Sequence, residues 1–333
     1  MPSDSRRATL VALAGLASLC LCACLPLTAA AQPAWPSFKP IRLIVAYPAG
    51  GVTDAVARLV SDRLGAQLGT SIVVDNRAGA AGLIGMDAVA KAAPDGYTFG
   101  ISTVSTLTLT PHLNRMPFDP ARDIAPVVSI AYSPVVMMAT PIMPARDFRA
   151  VLADARSRPG AIRWSTSGQG SLGQIMLEQI KLAAHVDITH IPYRGSGQQF
   201  NDAMGGQLEM VSINASQTLL QQIRSGKLRP LAIGAAARMA SLPDVPTLAE
   251  LGFPQANRSS TLGAFAPART PAPVIERLNA EINKILAQPD VRKLLLEMGN
   301  VPTGGTPAAF AQGIAAESAD NARIIKAANI RLE

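Results

Sequence analysis

Cysteine is almost missing from this chain. The 333 residues contain three, Cys20, Cys22 and Cys24, all near the amino terminus. Histidine is equally scarce. His112, His185 and His190 form neither HExxH nor a ligand pair at helical spacing, which excludes the usual catalytic zinc arrangements and leaves each as a structural histidine. There are no lysine or arginine runs, so the formal charge of +7 is spread along the chain, and a nucleic-acid footprint is absent. Nucleotide signatures are missing too: Ala49-Gly50-Gly51-Val52 is not GxGxxG, and GxxxxGK[ST] does not occur. Neither Ser167 nor Ser171 has glycine on both sides at a distance of two, so the GxSxG elbow of serine hydrolases is absent.

What is present begins with a leader. MPSDSRR is short and basic, ATLVALAGLASLCLCACLPLTAA is apolar, and Ala29-Ala30-Ala31 before Gln32 suits signal-peptide cleavage, which makes 1–31 a removable export signal. Alternative readings are a retained membrane anchor over Ala8 to Leu27 and a lipoprotein acylated at Cys24. Ser5-Arg6-Arg7 also resembles a twin-arginine signal, which leaves the export route open. Cleavage at Ala31 would remove every thiol, and with them disulfides, thiolate metal sites and cysteine nucleophiles. The remaining stretch, roughly 300 residues, is longer than one core usually organises and points to two domains. Its charge, about +6 once Asp4, Arg6 and Arg7 are gone, mildly favours anionic ligands.

The pattern alternates strands and helices. Ile41 to Tyr47 reads as a buried strand; Pro48-Ala49-Gly50-Gly51 turns the chain; Val56, Leu59, Val60, Leu64 and Leu68 then recur at helical spacing until Gly69. Further strands fall at Ser71 to Asp75, Tyr97 to Ser102 and Pro134 to Thr140, with helices at Met86 to Ala92 and Phe148 to Ser157. Ile162 to Thr166, the turn Ser167-Gly168-Gln169-Gly170-Ser171 and a helix over Leu172 to Ala184 repeat the first unit. Strands at Ile188 to Pro192, Glu209 to Ile213 and Leu228 to Ile233 follow, with helices near Gln198 to Met204 and Ser216 to Ser225, and Pro273 to Glu333 reads as helices. Such alternation implies right-handed crossovers and mainly parallel sheets covered by helices.

A glycine turn between a strand and a helix aims unpaired N–H groups, and about half a positive charge, at one point where an anion can sit. Two such turns exist, Gly50-Gly51-Val52-Thr53-Asp54 and Ser167 to Ser171, although glycine there also serves simply to turn the chain. Asp54 reads either as a cap of its helix or as a partner for a ligand ammonium group. Tyr47 and Tyr193, beside turns at Pro48 and Gly195, read either as cleft walls or as edge-of-core residues.

YPAGGVTDAVAR at 47–58, VVDNRAGAAGLIG at 73–85 and APDGYTFGIST at 93–103 are similar to the substrate-binding receptors of tripartite tricarboxylate transporters, the Bug-type receptors. THIPYRGSGQQFNDAMGGQLEM at 189–210, SGKLRPLAI at 225–233, LPDVPTLAELGFP at 242–254 and FAPARTP at 265–271 extend the resemblance over nearly the whole exported chain. It implies a periplasmic protein of the two-lobed periplasmic binding protein fold, type II-like, α/β in each lobe, with a hinge. Lobe one is expected at 33–136 plus 256–333 and lobe two at 137–255.

The resemblance also implies a ligand held by the turn Gly50 to Asp54, by the strand end at Ser102 and Thr103, by the turn with Ser165, Ser167, Gly170 and Ser171, and by the loop with Asn214 and Ser216. Tyr47 and Tyr193 complete the expected set, and no metal or cofactor is expected. The ligand class is a small carboxylate: a di- or tricarboxylate, an aromatic acid or an acidic amino acid. The partner is a membrane permease or, alternatively, a sensor that reads the closed form, and the receptor is expected to be a monomer. An exported hydrolase with an unusual serine site is the enzymatic alternative; a non-enzymatic receptor is the reading adopted. Gln174 stands where the pattern often has histidine, Thr261 lies near a usual tryptophan, and INASQ at 213–217 departs from the family loop, so these positions bear on ligand identity.

Cleavage after Ala31 carries a direct check. Mass spectrometry of the exported protein should give an amino terminus at Gln32, and thiol titration should read zero; an acylated Cys24 at the amino terminus would refute it.

Overall fold

The computed structural model describes residues 35–37 and 39–327. The expected leader, with Cys24, and residues 328–333 at the end of the expected first lobe lie outside the described residues. From Phe38 onward the chain groups as one compact unit, and only that unit is treated below. Among the described residues no helix is long and apolar enough to cross a membrane.

Among the described residues ten strands join in one hydrogen-bonded network: β1 (Ile41–Val45), β2 (Ile72–Asn76), β3 (Thr98–Thr103), β4 (Ile124–Ala139), β5 (Arg163–Thr166), β6 (Thr189–Pro192), β7 (Met210–Asn214), β8 (Arg229–Gly234), β9 (Ser259–Pro267) and β10 (Val301–Pro302). The order is β2-β1-β3-β9-β4-β7-β5-β6, with β8 and β10 also paired to β4. The outer triplets, β2-β1-β3 and β7-β5-β6, are parallel, as strand–helix alternation requires. The centre is antiparallel: β9 runs against both β3 and β4, and β4 runs against β7 and β8.

Strand β4 is longer than the expected Pro134 to Thr140. Proline cannot donate to a ladder, so Pro126 and Pro134 are unfavourable inside a strand. In the structure β4 keeps its course through register shifts between Pro126 and Val128 and between Ser129 and Ala131. At Pro134 it changes partners: Ile124 to Pro134 pair with β9, whereas Val135 to Ala139 pair with β7 and β8. The period of two then divides its side chains. Val135, Met137 and Ala139 join the core around Trp164 and Phe148, while Val136 and Met138 join the core around Leu219 and Ile233.

The longer helices are α1 (Val52–Leu68), α2 (Leu83–Ala90), α3 (Phe148–Ser157), α4 (Leu172–Ala184), α5 (Ser196–Met204), α6 (Gln217–Arg224), α7 (Ala272–Ala287), α8 (Pro289–Glu297) and α9 (Pro307–Ala327). α1 buries Val56, Leu59, Val60 and Leu64, and ends at Gly69, whose φ of 65° suits the left-handed cap. α7 buries Val274, Leu278, Ile282, Ile285 and Leu286, as their helical spacing predicts. Phe310 of α9 packs with Ile44 and Phe265 in the core beneath β1 and β9, which ties the carboxyl-terminal helices to the first parallel triplet.

α2 sits so close to β1 that a β-carbon on Gly85 would lie 2.5 Å from Ala46 Cα and 2.9 Å from the Arg77 carbonyl oxygen. Gly85→Ala gains about 1 kcal/mol of helix propensity, yet backbone atoms must move to admit it. A net loss of about 2 kcal/mol is expected. Urea unfolding checks this, and a variant as stable as the parent would refute the packing account.

Candidate functional site

The first turn follows β1. Gly50 takes a φ of 80°, and Gly51 caps α1 without any side-chain hydrogen bond. Asp54, buried in the first turn of the helix, points back: its carboxylate accepts from the Gly50 N–H at 2.9 Å, from Arg58 Nε at 3.0 and 3.1 Å and from Asn76 Nδ2 at 2.9 Å. Burial pushes its pKa up, but the bonds from Arg58, Gly50 and Asn76 outweigh this and hold it below the usual carboxylate value. Asp54 is therefore a brace of the turn, outside the cavity lining. Val52 and Thr53, whose N–H groups have no intrahelical partner, line the cavity.

Tyr47, just past the end of β1, also lines the cavity. Its hydroxyl donates to the Ala81 carbonyl at 2.9 Å and lies 2.7 Å from Thr103 Oγ1. Burial raises the phenol's pKa, and hydrogen bonds with Thr103, Thr106 and Ser105 oppose the rise in part. Thr106 Oγ1 donates to the same Ala81 carbonyl at 2.8 Å. Two bonds thus hold a stretch in which Ala80 and Ala81 both adopt left-handed φ, which alanine otherwise avoids. Ser102 is buried and bonded to Thr106 Oγ1 at 3.3 Å, away from the cavity; Ser105 takes a place in the lining instead.

The second turn differs from the first. Ser171 Oγ caps α4 by accepting from the Gln174 N–H, and Gln174 Oε1 returns to accept from the Gly170 N–H at 2.7 Å. Ser171 Oγ also donates to Thr166 Oγ1 at 3.3 Å, which in turn lies 2.7 Å from His190 Nε2. Ser167, Ser171, Leu172 and Gly173 line the cavity, whereas Gly170 and Ser165 do not. Ser165 Oγ instead accepts from Gln199 Nε2 at 3.3 Å. Asn214, at the end of β7, lines the cavity; Ser216 caps α6 through the Leu219 N–H. Tyr193 is turned away, its hydroxyl donating to Asp202 Oδ2 at 2.7 Å, and burial together with that carboxylate pushes its pKa up to about 12.

Eight of the fifteen expected positions therefore meet at one cavity: Tyr47, Gly51, Val52, Thr53, Thr103, Ser167, Ser171 and Asn214. Gly50, Asp54, Ser102, Ser165, Gly170, Tyr193 and Ser216 stand behind or beside it. Sequence reasoning missed Ser105, Val135, Leu172, Gly173, Ser196, Gln199, Ser212, Ile213 and Ser260. Leu172, Gly173 and Ser196 were findable as the opening residues of helices after glycine turns. Ser212 and Ile213 were read only as strand residues, and Ser260 lies on β9, which the sequence did not reveal.

The enclosed space is about 30 Å³. Among the described residues, nine side-chain hydroxyls and two amides surround it, and no charged side chain does. The first glycine turn closes against the start of α5: a β-carbon on Gly195 would lie 2.7 Å from Pro48 Cγ, and one on Gly51 would lie 3.3 Å from Ser196 Oγ. His112 bonds Ser318 at 2.9 Å and His185 ends α4, and no metal-ligating cluster occurs among the described residues.

Comparison with known proteins concerns the chain as a whole. The family model described as tripartite tricarboxylate transporter family receptor matches residues 56–330. Protein BugT of Bordetella pertussis is 36% identical over 300 residues, 89% of this chain and 88% of the relative. Rpa4515 of R. palustris, solved with adipate, is 34% identical with a TM-score of 0.84, covering 89% of this chain and 99% of that one. MatC of Rhodopseudomonas palustris, solved with bound malate, is 28% identical with a TM-score of 0.81 over 86% of this chain and 99% of that one.

His190 behind the second turn gives the region a pH dependence. Burial, then the charge of Lys181, pushes its imidazole down from 6.5 to about 4. The unfolded chain takes up a proton near 6.5 that the folded chain refuses until about 4, so this contribution to stability is complete above pH 6.5 and is lost as the pH falls through that window. His190→Gln, which keeps a polar partner for Thr166, should lose less stability between pH 7 and pH 5 in urea titrations; equal losses would remove His190 as the cause.

Proposed function

This chain belongs to the tripartite tricarboxylate transporter receptor family, and from that membership we propose that it captures a small carboxylate in the cavity and delivers it to a membrane permease. It is a receptor, not an enzyme. The observation that carries the ligand class is the uncapped amino terminus of α1 facing, together with that of α4, a cavity of hydroxyls without a charged side chain. A buried carboxylate must replace several bonds to water, and N–H donors at helix ends do so while adding about half a positive charge. Fixed dipoles serve this role without the salt-bridge energy that would slow release to a partner. The neighbours solved with adipate and malate support the same ligand class.

In the proposed arrangement, carboxylate oxygens accept from the Val52 and Thr53 N–H groups, while the hydroxyls of Thr53, Thr103, Ser167 and Ser171 set orientation. The lobes are those expected from sequence, 33–136 with 256–333 against 137–255, hinged where the chain crosses. The change of partner at Pro134 in β4 and the return of the chain in β9 support a hinge there. A space of about 30 Å³ suits a single water and not a dicarboxylate, so loading requires the contact of Pro48 with Gly195 to part. The leader expected from the sequence and the family membership support export to the periplasm.

Thermal unfolding of the exported protein against aliphatic di- and tricarboxylates, aromatic acids, amino acids and neutral esters tests the proposal. A carboxylate at 100 times its Kd should add about 2.7 kcal/mol of stability and should be recovered unchanged. Silence from every carboxylate, or consumption of an ester, would overturn it.

A further inference from the structure

Two amide side chains line the cavity, and each has its nitrogen engaged elsewhere. Gln199, fully buried one turn into α5, donates from Nε2 to the Ser212 carbonyl at 2.9 Å and to Ser165 Oγ at 3.3 Å. Asn214 donates from Nδ2 to the Ser133 carbonyl at 3.1 Å. A main-chain carbonyl only accepts, so neither amide can be turned round; both N–H groups of Gln199 are used and only its oxygen is left over, whereas Asn214 keeps its oxygen and one N–H. Gln199 Oε1 has no hydrogen-bond partner among the described residues.

The cavity is thus not uniform. Helix N–H groups at Val52, Thr53, Leu172 and Gly173 donate, and hydroxyls can do either. The amide oxygens accept only. An ionised carboxylate carries lone pairs alone and is repelled by such an oxygen, while an O–H or N–H satisfies it. A buried acceptor without a partner is costly, so a ligand that supplies the donor gains twice. No acidic side chain lines the cavity, and Asp54 is held by Arg58, Gly50 and Asn76. An ammonium group would therefore be desolvated without a counter-charge, whereas a neutral donor sheds far less hydration.

We propose that Gln199 determines specificity, and that the receptor selects carboxylates bearing a neutral hydrogen-bond donor, a hydroxyl or an amide N–H, over unsubstituted acids of the same length. This deepens the carboxylate-receptor reading and rests on it. The helix ends take the carboxylates and the Gln199 oxygen takes the donor. Unsubstituted acids leave that oxygen unpaired when the cavity closes.

Isothermal titration of the exported protein with matched pairs tests the inference: succinate against malate, glutarate against 2-hydroxyglutarate, adipate against 2-hydroxyadipate. The hydroxylated member of a binding pair should bind roughly tenfold tighter, and Gln199→Met, similar in size but without the acceptor, should bring the ratio near one. Equal or weaker binding of every hydroxylated member overturns the inference and leaves the receptor reading standing. So does a ratio that persists in folded Gln199→Met; should that variant fail to fold, the parent's ratios decide alone. Silence from all six acids overturns the inference too, and the receptor reading falls with it only if the wider panel of carboxylates is also silent.

Discussion

Hydrogen bonding along β4 sets what can meet what in this protein. The strand runs from Ile124 to Ala139 and pairs with β9 up to Pro134, then with β7 and β8. The strand ends that carry Thr103, Asn214 and Ser260 are thereby brought to one cavity from segments far apart in sequence. Proline at the changeover is fitting: a residue without an N–H loses least where one ladder stops and the next begins. The bulges near Pro126 and Ser129 allow the strand to continue past a residue that would otherwise end it.

The two glycine turns look alike in sequence and are finished differently. At α4, Ser171 and Gln174 satisfy donors of the turn and helix with their own side chains. At α1, Gly51 offers no cap, and the one nearby carboxylate, Asp54, reaches back to Gly50 and sideways to Arg58 and Asn76. Had Asp54 capped the helix toward the cavity, its charge would offset the partial positive charge of the helix end. Holding it behind the turn keeps the local field positive without placing a basic side chain in the cavity. A neutral, hydroxyl-rich lining around oriented dipoles suits a receptor that must both take up and release an anion.

Local features of the fold were readable because they depend on near neighbours. Leu172 to Ala184 was expected as a helix and is one, and the β1 strand, glycine turn and α1 helix follow from β-branched residues, a left-handed glycine and helical periodicity. The first half of β4 and all of β9 were not readable. Pro126 argues locally against a strand, and only pairing partners distant in the chain overrule it. Gln199 sat within a region read as helix, but nothing nearby in sequence indicates that its nitrogen faces the Ser212 carbonyl and its oxygen remains unpaired.

By itself, then, the sequence determined the strand–turn–helix units, the supply of donors at their helix ends, the shortage of cysteine and histidine chemistry, and the family resemblance; these rest on residue types and spacings within a few turns of chain. Tertiary structure alone decided which expected residues face the cavity, that Asp54 and Tyr193 turn from it, and that Gln199 has only its oxygen left to bond. A side chain's direction is settled by partners on other strands and helices, and hydrogen-bond partners such as Ser212, Ser133, Asn76 and Asp202 are chosen by the fold rather than by proximity in sequence.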